Sequence, residues 1–314
     1  MARGRQPVES SSTAKTRAEP PGAGIAIRRR ALVQVHLAVF LFGLAGLFGK
    51  GLAWPATAIV LGRTGLAAGA LGLWQIWRRQ PLWPRTIRDG LGLALLGVLL
   101  AFHWVSFFLS IQLSTVALGL LTFSSFPVFV TVLEPMLLNT RWHWRDGAMA
   151  LFVVLGVALV VPEYRLGSAV TLGAVVGLLS GFSFALLQLL NRGYRQRYSA
   201  LGIAFQQNLF ACLSLLGWMA ISPLPAFTIA GLDWLWLLVL GVLCTAVAHT
   251  LFIESLSVLR TQVASVISGL EPVYGIALAA LLLGEIPTLR TLAGGSLILG
   301  TTMVASWQGS RETG

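Results

Sequence analysis

The side chains of this sequence that could do chemistry lie inside long apolar runs. Glu271 falls near the middle of one run, directly before Pro272. A proline there removes a backbone donor and frees a carbonyl, which favours a helix break that lines a cavity. The carboxylate could accept a proton or bind an amine, or it could cap frayed backbone or pair with an arginine. Polar residues recur every three positions before it on one slowly drifting helix face: Gln262, Ser265 and Ser268.

Arg63 is a basic residue inside the second apolar run, with Thr64 beside it. Its guanidinium could offer a two-pronged fork to a carboxylate or a phosphate of a small molecule. It could equally serve as an internal partner of Glu271, bond a helix-end carbonyl, or extend outward to the membrane surface. The sequence leaves these alternatives open.

Two histidines lie in the third and eighth runs, at His103 and His249. A histidine can shuttle protons near neutral pH, but a hydrogen-bonded packing role is the more common alternative. Ser106 and Ser110 share a helix face with His103. Three aromatic residues nearby could form the wall of a site, although packing suffices to explain them: Trp104, Phe107 and Phe123.

An amide cluster, Gln206-Gln207-Asn208, lies in the seventh run and could orient a substrate or join helices by hydrogen bonds. Pro127 follows Ser124 in the fourth run and predicts a second helix break. No catalytic residue, metal site or cofactor is expected. The candidate substrate-binding or coupling residues are Glu271, Arg63, His103, Ser106, Ser124, Gln207, His249 and Ser268, with helix breaks at Pro127 and Pro272.

The composition indicates that the elements holding these residues lie in a lipid bilayer. The 314 residues are 56% hydrophobic and 11% charged, whereas a soluble domain carries about 25% charged residues. The net charge of +11 would suggest a nucleic-acid partner in a soluble protein. Nucleic-acid binding is excluded here because the basic residues sit between apolar runs and form no basic, aromatic-interleaved face.

Ten apolar runs follow one another along the chain. Crossing the hydrocarbon takes a helix of about 20 residues, and the runs are too long and too little alternating for the strands of a membrane β-barrel. The sequence therefore predicts an all-α membrane protein with ten transmembrane helices. The runs are 31–51, 56–77, 90–112, 115–138, 145–162, 169–191, 201–222, 232–253, 261–283 and 290–307.

The distribution of lysine and arginine predicts the orientation of these helices. Eighteen of the 22 basic residues lie in the tails and connections on one side, three lie on the other, and Arg63 lies within a run. By the positive-inside rule, both termini should be cytoplasmic in a cell inner membrane. Residues 1–30 should form a disordered cytoplasmic tail because they lack apolar area to offset the entropy of ordering.

The two halves of the chain repeat each other. Residues 96–99 and 240–243 both read Leu-Gly-Val-Leu, and 126–129 correspond to 271–274, at offsets of 144 and 145. Each half holds five helices, an odd number, so the second half should be inverted relative to the first. Inverted repeats are a recurring plan of secondary transporters, which bind substrate at the repeat interface near the midplane.

Two stretches, 97–135 and 262–300, carry a family resemblance. They include His103-Trp104-Val105-Ser106, Leu270-Glu271-Pro272-Val273 and Gly284-Glu285. The chain resembles the drug/metabolite transporter superfamily, specifically an EamA-type ten-helix permease. The resemblance implies repeats over 31–162 and 169–307, a cytoplasmic tail over 308–314, and alternating access around a cavity lined by helices one, three, four, six, eight and nine. The Gly-Glu pair of the second half is replaced by Asn139-Thr140 in the first.

The function predicted from these features is secondary transport, in the direction of export, of small metabolites such as amino acids. The chain has no phosphate-binding loop and no room for an ATP-binding domain, so it should be a facilitator or proton-coupled. The expected partners are a small-molecule substrate and the lipid bilayer. A channel, scramblase or scaffold is the alternative. An intramembrane enzyme is less favoured because no hydrolase or metalloprotease motif occurs.

Overall fold

The structure is a computed structural model. It describes residues 23–138, 144–161, 165, 167–194, 197–222, 226–255, 258–259 and 267–308. Within these ranges the regular elements are helices and no strand occurs. Gln262, Ser265 and the pair Asn139-Thr140, named from the sequence, lie outside the described residues.

The first half begins with three long helices, which are joined by short connections. Thr86 and Thr115 cap two helices, since their side chains accept hydrogen bonds from the backbone amides of Asp89 and Leu118 at 3.1 Å. The fourth membrane segment is broken into two shorter helices. The helices are α1 (Ala23–Gly51), α2 (Ala56–Trp77), α3 (Ile87–Leu113), α4 (Val116–Phe123), α5 (Phe126–Leu138) and α6 (Trp144–Val160).

The second half repeats this plan with a different interruption. Its third membrane segment contains nine residues of π-helix, Val239–Val247, between two short α-helices. The helix that begins at Glu271 has Pro272 in its first turn, where the missing N–H costs nothing. The helices are α7 (Ala169–Tyr194), α8 (Ala200–Ile221), α9 (Asp233–Leu238), α10 (Ala248–Ser255), α11 (Glu271–Leu282) and α12 (Leu289–Gln308).

Among the described residues, seven helical segments are long and apolar enough to cross a membrane. Shorter apolar helices at Gly147–Val160 and Glu271–Leu282, together with α12, bring the number of such segments in the described ranges to ten. The outward-facing side chains are apolar, with Leu73, Leu95 and Leu281 each well exposed, as a lipid-facing surface requires. The predicted fold class, an all-α membrane protein of two inverted five-helix repeats, is confirmed.

The first helix begins earlier than the sequence predicted. We expected a disordered tail through residue 30, but α1 starts at Ala23, so residues 23–30 are helical. Arginine is a good helix former, and Arg28-Arg29-Arg30 extend a helix that the membrane segment has already nucleated. The remainder of the predicted tail, residues 1–22, lies outside the described residues.

Helices of the first half pack chiefly against helices of the second. The α3 helix lies along α7, α2 lies along α8, and α1 contacts both α10 and α11. A row of glycines on α7 allows the closest of these approaches: a Cβ on Gly173 would lie 3.1 Å from the Ser110 carbonyl oxygen, and one on Gly181 would lie 2.8 Å from that of Phe123. The row therefore permits close packing of α7 against the first half.

Polar bonds join the two halves at both ends of the bundle. At the arginine-rich end, which carries the α2–α3 and α7–α8 connections, Arg197 and Tyr198 donate to the Asp89 carboxylate at 2.7 and 2.8 Å. At the opposite end, Trp54 Nε1 donates to Asp233 at 2.9 Å. The halves are therefore tied together at each mouth of the bundle.

Candidate functional site

A buried arginine joins the two halves inside the bundle. Arg63 of α2 is only 2% exposed, and its Nε donates a 2.9 Å hydrogen bond to the Thr245 hydroxyl of the π-helical segment. Its guanidinium carbon lies 4.0 Å above the centre of the Trp104 ring, at a distance typical of a cation–π contact. The side chain is therefore held inward, which excludes the outward extension that the sequence left open.

The π-helical segment sets the position of Thr245. The threonine hydroxyl donates to the Leu240 carbonyl, five residues earlier, at 2.7 Å. Since its single proton is used in that bond, the hydroxyl faces Arg63 Nε as an acceptor. Wide helical turns of this kind are often found at functional sites, and here the turn brings a second-half acceptor to a first-half cation.

His249 lies four residues after Thr245, on the same side of the segment. Its ring meets Trp104 edge-on at 5.5 Å and Phe42 at 5.6 Å, centre to centre. Its Nδ1 is enclosed by protein and has no hydrogen-bond partner among the described residues. His249 also interacts electrostatically with Arg63. Trp104 thus has Arg63 over its face and His249 at its edge.

Glu271 opens α11 immediately after the break at Gly269-Leu270. The α1 helix lies close against this turn, because a Cβ on Gly43 would be only 2.9 Å from the Glu271 carbonyl oxygen. The carboxylate interacts electrostatically with Arg63. Within the described part of the chain the two charges form no direct ion pair. Arg63 and Glu271 are therefore close enough to interact electrostatically without forming an ion pair.

His103 lies in a closed environment. Its Nδ1 is 3.1 Å from the Ser180 carbonyl and 2.9 Å from the Ser180 hydroxyl, and it is 4% exposed. Three phenylalanine rings surround it, with Phe184 nearest at 4.9 Å. This arrangement fits a hydrogen-bonded packing residue, the alternative to proton transfer, for His103.

The other candidate residues are bonded within their own helices or to neighbours. Ser106 donates to the Phe102 carbonyl at 2.7 Å, and Ser124 donates to the Leu120 carbonyl at 2.8 Å. Gln207 donates to Asn191 at 2.6 Å. Ser268 is half-buried, directly before the turn at residues 269–270. Within the described residues, the bonds of Ser106, Ser124 and Gln207 do not involve the group around Arg63.

The two helix breaks occupy corresponding places in the repeats. The α4 helix ends at Phe123 and α5 begins at Phe126, so Pro127 lies in the first turn after the break. Pro272 has the same position in α11. Broken helices near the membrane midplane expose backbone groups at a substrate site in many transporters. Each half thus contributes one broken helix to the bundle interior.

Comparison with known proteins decides the family. The family model described as "EamA-like transporter family" matches this chain twice, over residues 29–161 and 171–307. The chain belongs to the EamA-like transporter family. Membership agrees with the resemblance drawn from the sequence and makes this EamA-like transporter a multi-pass membrane protein.

Curated relatives carry names of the same kind. An "uncharacterized transporter" of Archaeoglobus fulgidus is 29% identical over 223 residues, which are 70% of this chain and 77% of the relative. The "uncharacterized transporter YxxF" of Bacillus subtilis is 23% identical over 84% of this chain and 85% of its own. A crystal structure superimposes on 90% of this chain and 99% of its own with a TM-score of 0.62; at 17% identity it shows the fold alone.

The EamA-like transporter also has an apolar cavity beside this polar group. Its volume is about 460 Å³, and it opens near the α8–α9 connection between Trp54, Phe227 and Trp234. Gly62 lines it, whereas Arg63, the next residue of α2, does not. The cavity offers few polar partners to a metabolite, and the polar candidate site is the group around Arg63.

Sequence reasoning missed Thr245 and the Asp89 cluster. Threonines are common in membrane helices, and nothing in the pattern of residues 239–247 marks a π-helix. The spacing Thr86-x-x-Asp89 is a helix-capping signal that could have drawn attention to Asp89. Among the residues described, no group of three or more His, Cys, Asp or Glu side chains could hold a metal ion.

Proposed function

We propose that this EamA-like transporter carries small metabolites such as amino acids by alternating access between its two inverted halves. The observation that carries the proposal is the bond from Arg63 in the first half to Thr245 in the second. It places a buried cation at the interface between the repeats, where secondary transporters bind their substrates. Glu271, across the same interior, supplies an opposite charge.

The polar bonds at the two mouths are the contacts that alternate during transport. Opening the arginine-rich end separates Arg197 and Tyr198 from Asp89, and opening the other end separates Trp54 from Asp233. Each is a small set of part-buried bonds to a carboxylate, which are worth about 1.5–3 kcal/mol apiece. Either mouth can therefore open by breaking one or two such bonds.

Transport proceeds as facilitated diffusion or in exchange for a proton. Glu271 is the carboxylate that would carry the proton, because it sits at a break in a membrane helix beside Arg63. The arginine-rich end faces the cytoplasm, following the positive-inside rule, and both termini lie on the cytoplasmic side of the inner membrane. The working direction is export.

The first experiment is counterflow in proteoliposomes with pooled, isotope-labelled amino acids and related metabolites. Saturable uptake driven by unlabelled internal substrate, lost in Glu271→Gln, supports a carrier. Flux that does not saturate indicates a channel, lipid movement between leaflets indicates a scramblase, and no flux indicates a scaffold. Any of these three results overturns the proposal. Repeating the assay with inside-out vesicles tests the direction, since export appears there as uptake.

A further inference from the structure

Arg63 has hydrogen-bonding capacity that the protein does not use. A guanidinium carries five N–H donors, of which four are on the terminal nitrogens. The Nε donor is bonded to Thr245, and in the described part of the chain the terminal nitrogens have no partner. The side chain is 2% exposed, so bulk water does not readily satisfy these donors. A buried, half-satisfied cation is costly, so the four donors point to a ligand group.

The surroundings of Arg63 fix the direction in which this fork faces. Thr245 holds the Nε side, and the Trp104 ring covers one face of the guanidinium at 4.0 Å. The end that bears the two terminal nitrogens is the part of the guanidinium without a hydrogen-bond partner in the described residues. That end matches the two oxygens of a carboxylate bidentately, which is the strongest form of this recognition.

His249 supplies a further donor beside the fork. An orphaned N–H is rarer than an orphaned acceptor, so the enclosed and unpartnered Nδ1 of His249 is the nitrogen without a proton. The proton then lies on Nε2, which is left as a donor. His249 and Arg63 flank the same Trp104 ring. A neutral histidine here can donate to an anion bound at Arg63.

Glu271 limits the charge of the anion. Its carboxylate is within electrostatic range of Arg63 without pairing with it. A dianion such as a phosphate monoester would add two negative charges beside Glu271, whereas a carboxylate adds one. Building on the proposed transport function, we propose that Arg63, Thr245 and His249 form a subsite on Trp104 that binds the carboxylate group of the cargo.

The test uses ligands that differ in charge and little else. Thermal unfolding of the purified full chain in detergent is measured with benzoate, benzamide, benzylamine and phenylphosphate. Benzoate is expected to raise the unfolding temperature, and the neutral and cationic analogues are not. Stabilisation by benzamide or benzylamine equal to that by benzoate overturns the subsite, as does no stabilisation by benzoate. A stronger effect of phenylphosphate overturns its assignment to carboxylates.

Substitutions of Arg63 and His249 test whether benzoate binds at the subsite. Arg63→Gln is expected to weaken benzoate binding at least about tenfold, since a charge-assisted bond is worth about 1.5–3 kcal/mol. His249→Gln provides a second variant should Arg63→Gln fail to fold, with a severalfold loss. The control is Arg78→Gln, because Arg78 is an exposed arginine over the Trp74 and Trp77 rings. Benzoate binding that survives both test variants overturns the proposal.

Counterflow separates this inference from the transport function on which it rests. Metabolite counterflow that benzoate and benzamide inhibit equally overturns the carboxylate subsite and leaves transport standing. Benzoate binding that depends on Arg63, in a protein without any counterflow, supports the subsite and overturns the transport proposal.

Discussion

The two halves place polar groups at corresponding positions and treat them differently. His103 in the first half is bonded to Ser180 and enclosed by phenylalanine rings, whereas the Nδ1 of its near-counterpart His249 has no partner in the part of the chain that the structure describes. Gln207 is bonded to Asn191, and Arg63, its counterpart at an offset of 144, keeps its terminal donors open. The polar groups on the side of α3 and α7 are therefore hydrogen-bonded, which we call the closed side. Those on the side of α2 and α10 keep unused hydrogen-bonding atoms, which we call the open side.

This difference shows that an inverted repeat does not require two equivalent sites. One copy can use its buried polar groups to hold helices together, while the other leaves its own unsatisfied at a cost in stability. Unsatisfied buried groups of that kind are a common mark of binding sites, where stability is given up for function. Three substitutions test the comparison, in order of decreasing expected effect on stability.

The largest effect is expected for Gly177→Leu, which disrupts the closed side. A Cβ on Gly177 would collide with the Thr122 hydroxyl and lie 2.7 Å from the Ser110 hydroxyl, forcing α7 away from α3 and α4. We expect the free energy of unfolding to fall by about 3 kcal/mol, measured by denaturant unfolding in detergent. Gly193→Leu, on the same helix with nothing within 4 Å, is the control. Equal stability of the two variants would contradict the closed packing.

A smaller loss is expected for His103→Phe. Phenylalanine keeps the ring contacts but leaves the Ser180 carbonyl without its Nδ1 donor. The free energy of unfolding should fall by about 1–3 kcal/mol, the cost of an unsatisfied buried group, and benzoate binding should be unchanged. Stability at the wild-type level would show that the bond to Ser180 contributes nothing, and loss of benzoate binding would place His103 in the site.

The smallest change, opposite in sign, is expected for His249→Phe. The substitution removes an enclosed nitrogen without a partner and keeps the ring against Phe42 and Trp104. The free energy of unfolding should rise by about 1 kcal/mol, while the thermal shift given by benzoate falls. Thermal unfolding with and without benzoate measures both effects. A loss of stability as large as that of His103→Phe would remove the distinction between the two sides.

The fold could be predicted because the bilayer fixes helix length and forces every crossing to be helical. Proline also marked the places where helices break, since Pro127 and Pro272 each follow a break directly. The early start of α1 at Ala23 escaped prediction because polar residues can extend a helix that is already formed. The π-helix was not predicted either. Its backbone hydrogen bonds span five residues rather than four, and this change does not alter the hydropathy of the sequence.

The candidate site could be predicted only in part. Arg63, His249 and Glu271 were found because polar residues are costly in a membrane and therefore informative. Thr245 was not, because its role depends on a bond to Arg63 across 182 positions of the chain. The sequence likewise gave His103 and His249 the same possible roles, and only their neighbours in space distinguish them.

The Gly284-Glu285 pair has a consequence for how the protein is made. Gly284 takes a positive φ of 69°, which glycine tolerates best, and Glu285 then accepts a 2.9 Å hydrogen bond from the Val116 amide at the start of α4. That carboxylate caps a helix synthesised 169 residues earlier. At about 5–20 residues per second, this second cap of α4, beside that of Thr115, becomes available only when synthesis is nearly finished. The first half is therefore completed only when the last connection between helices, α11–α12, leaves the ribosome.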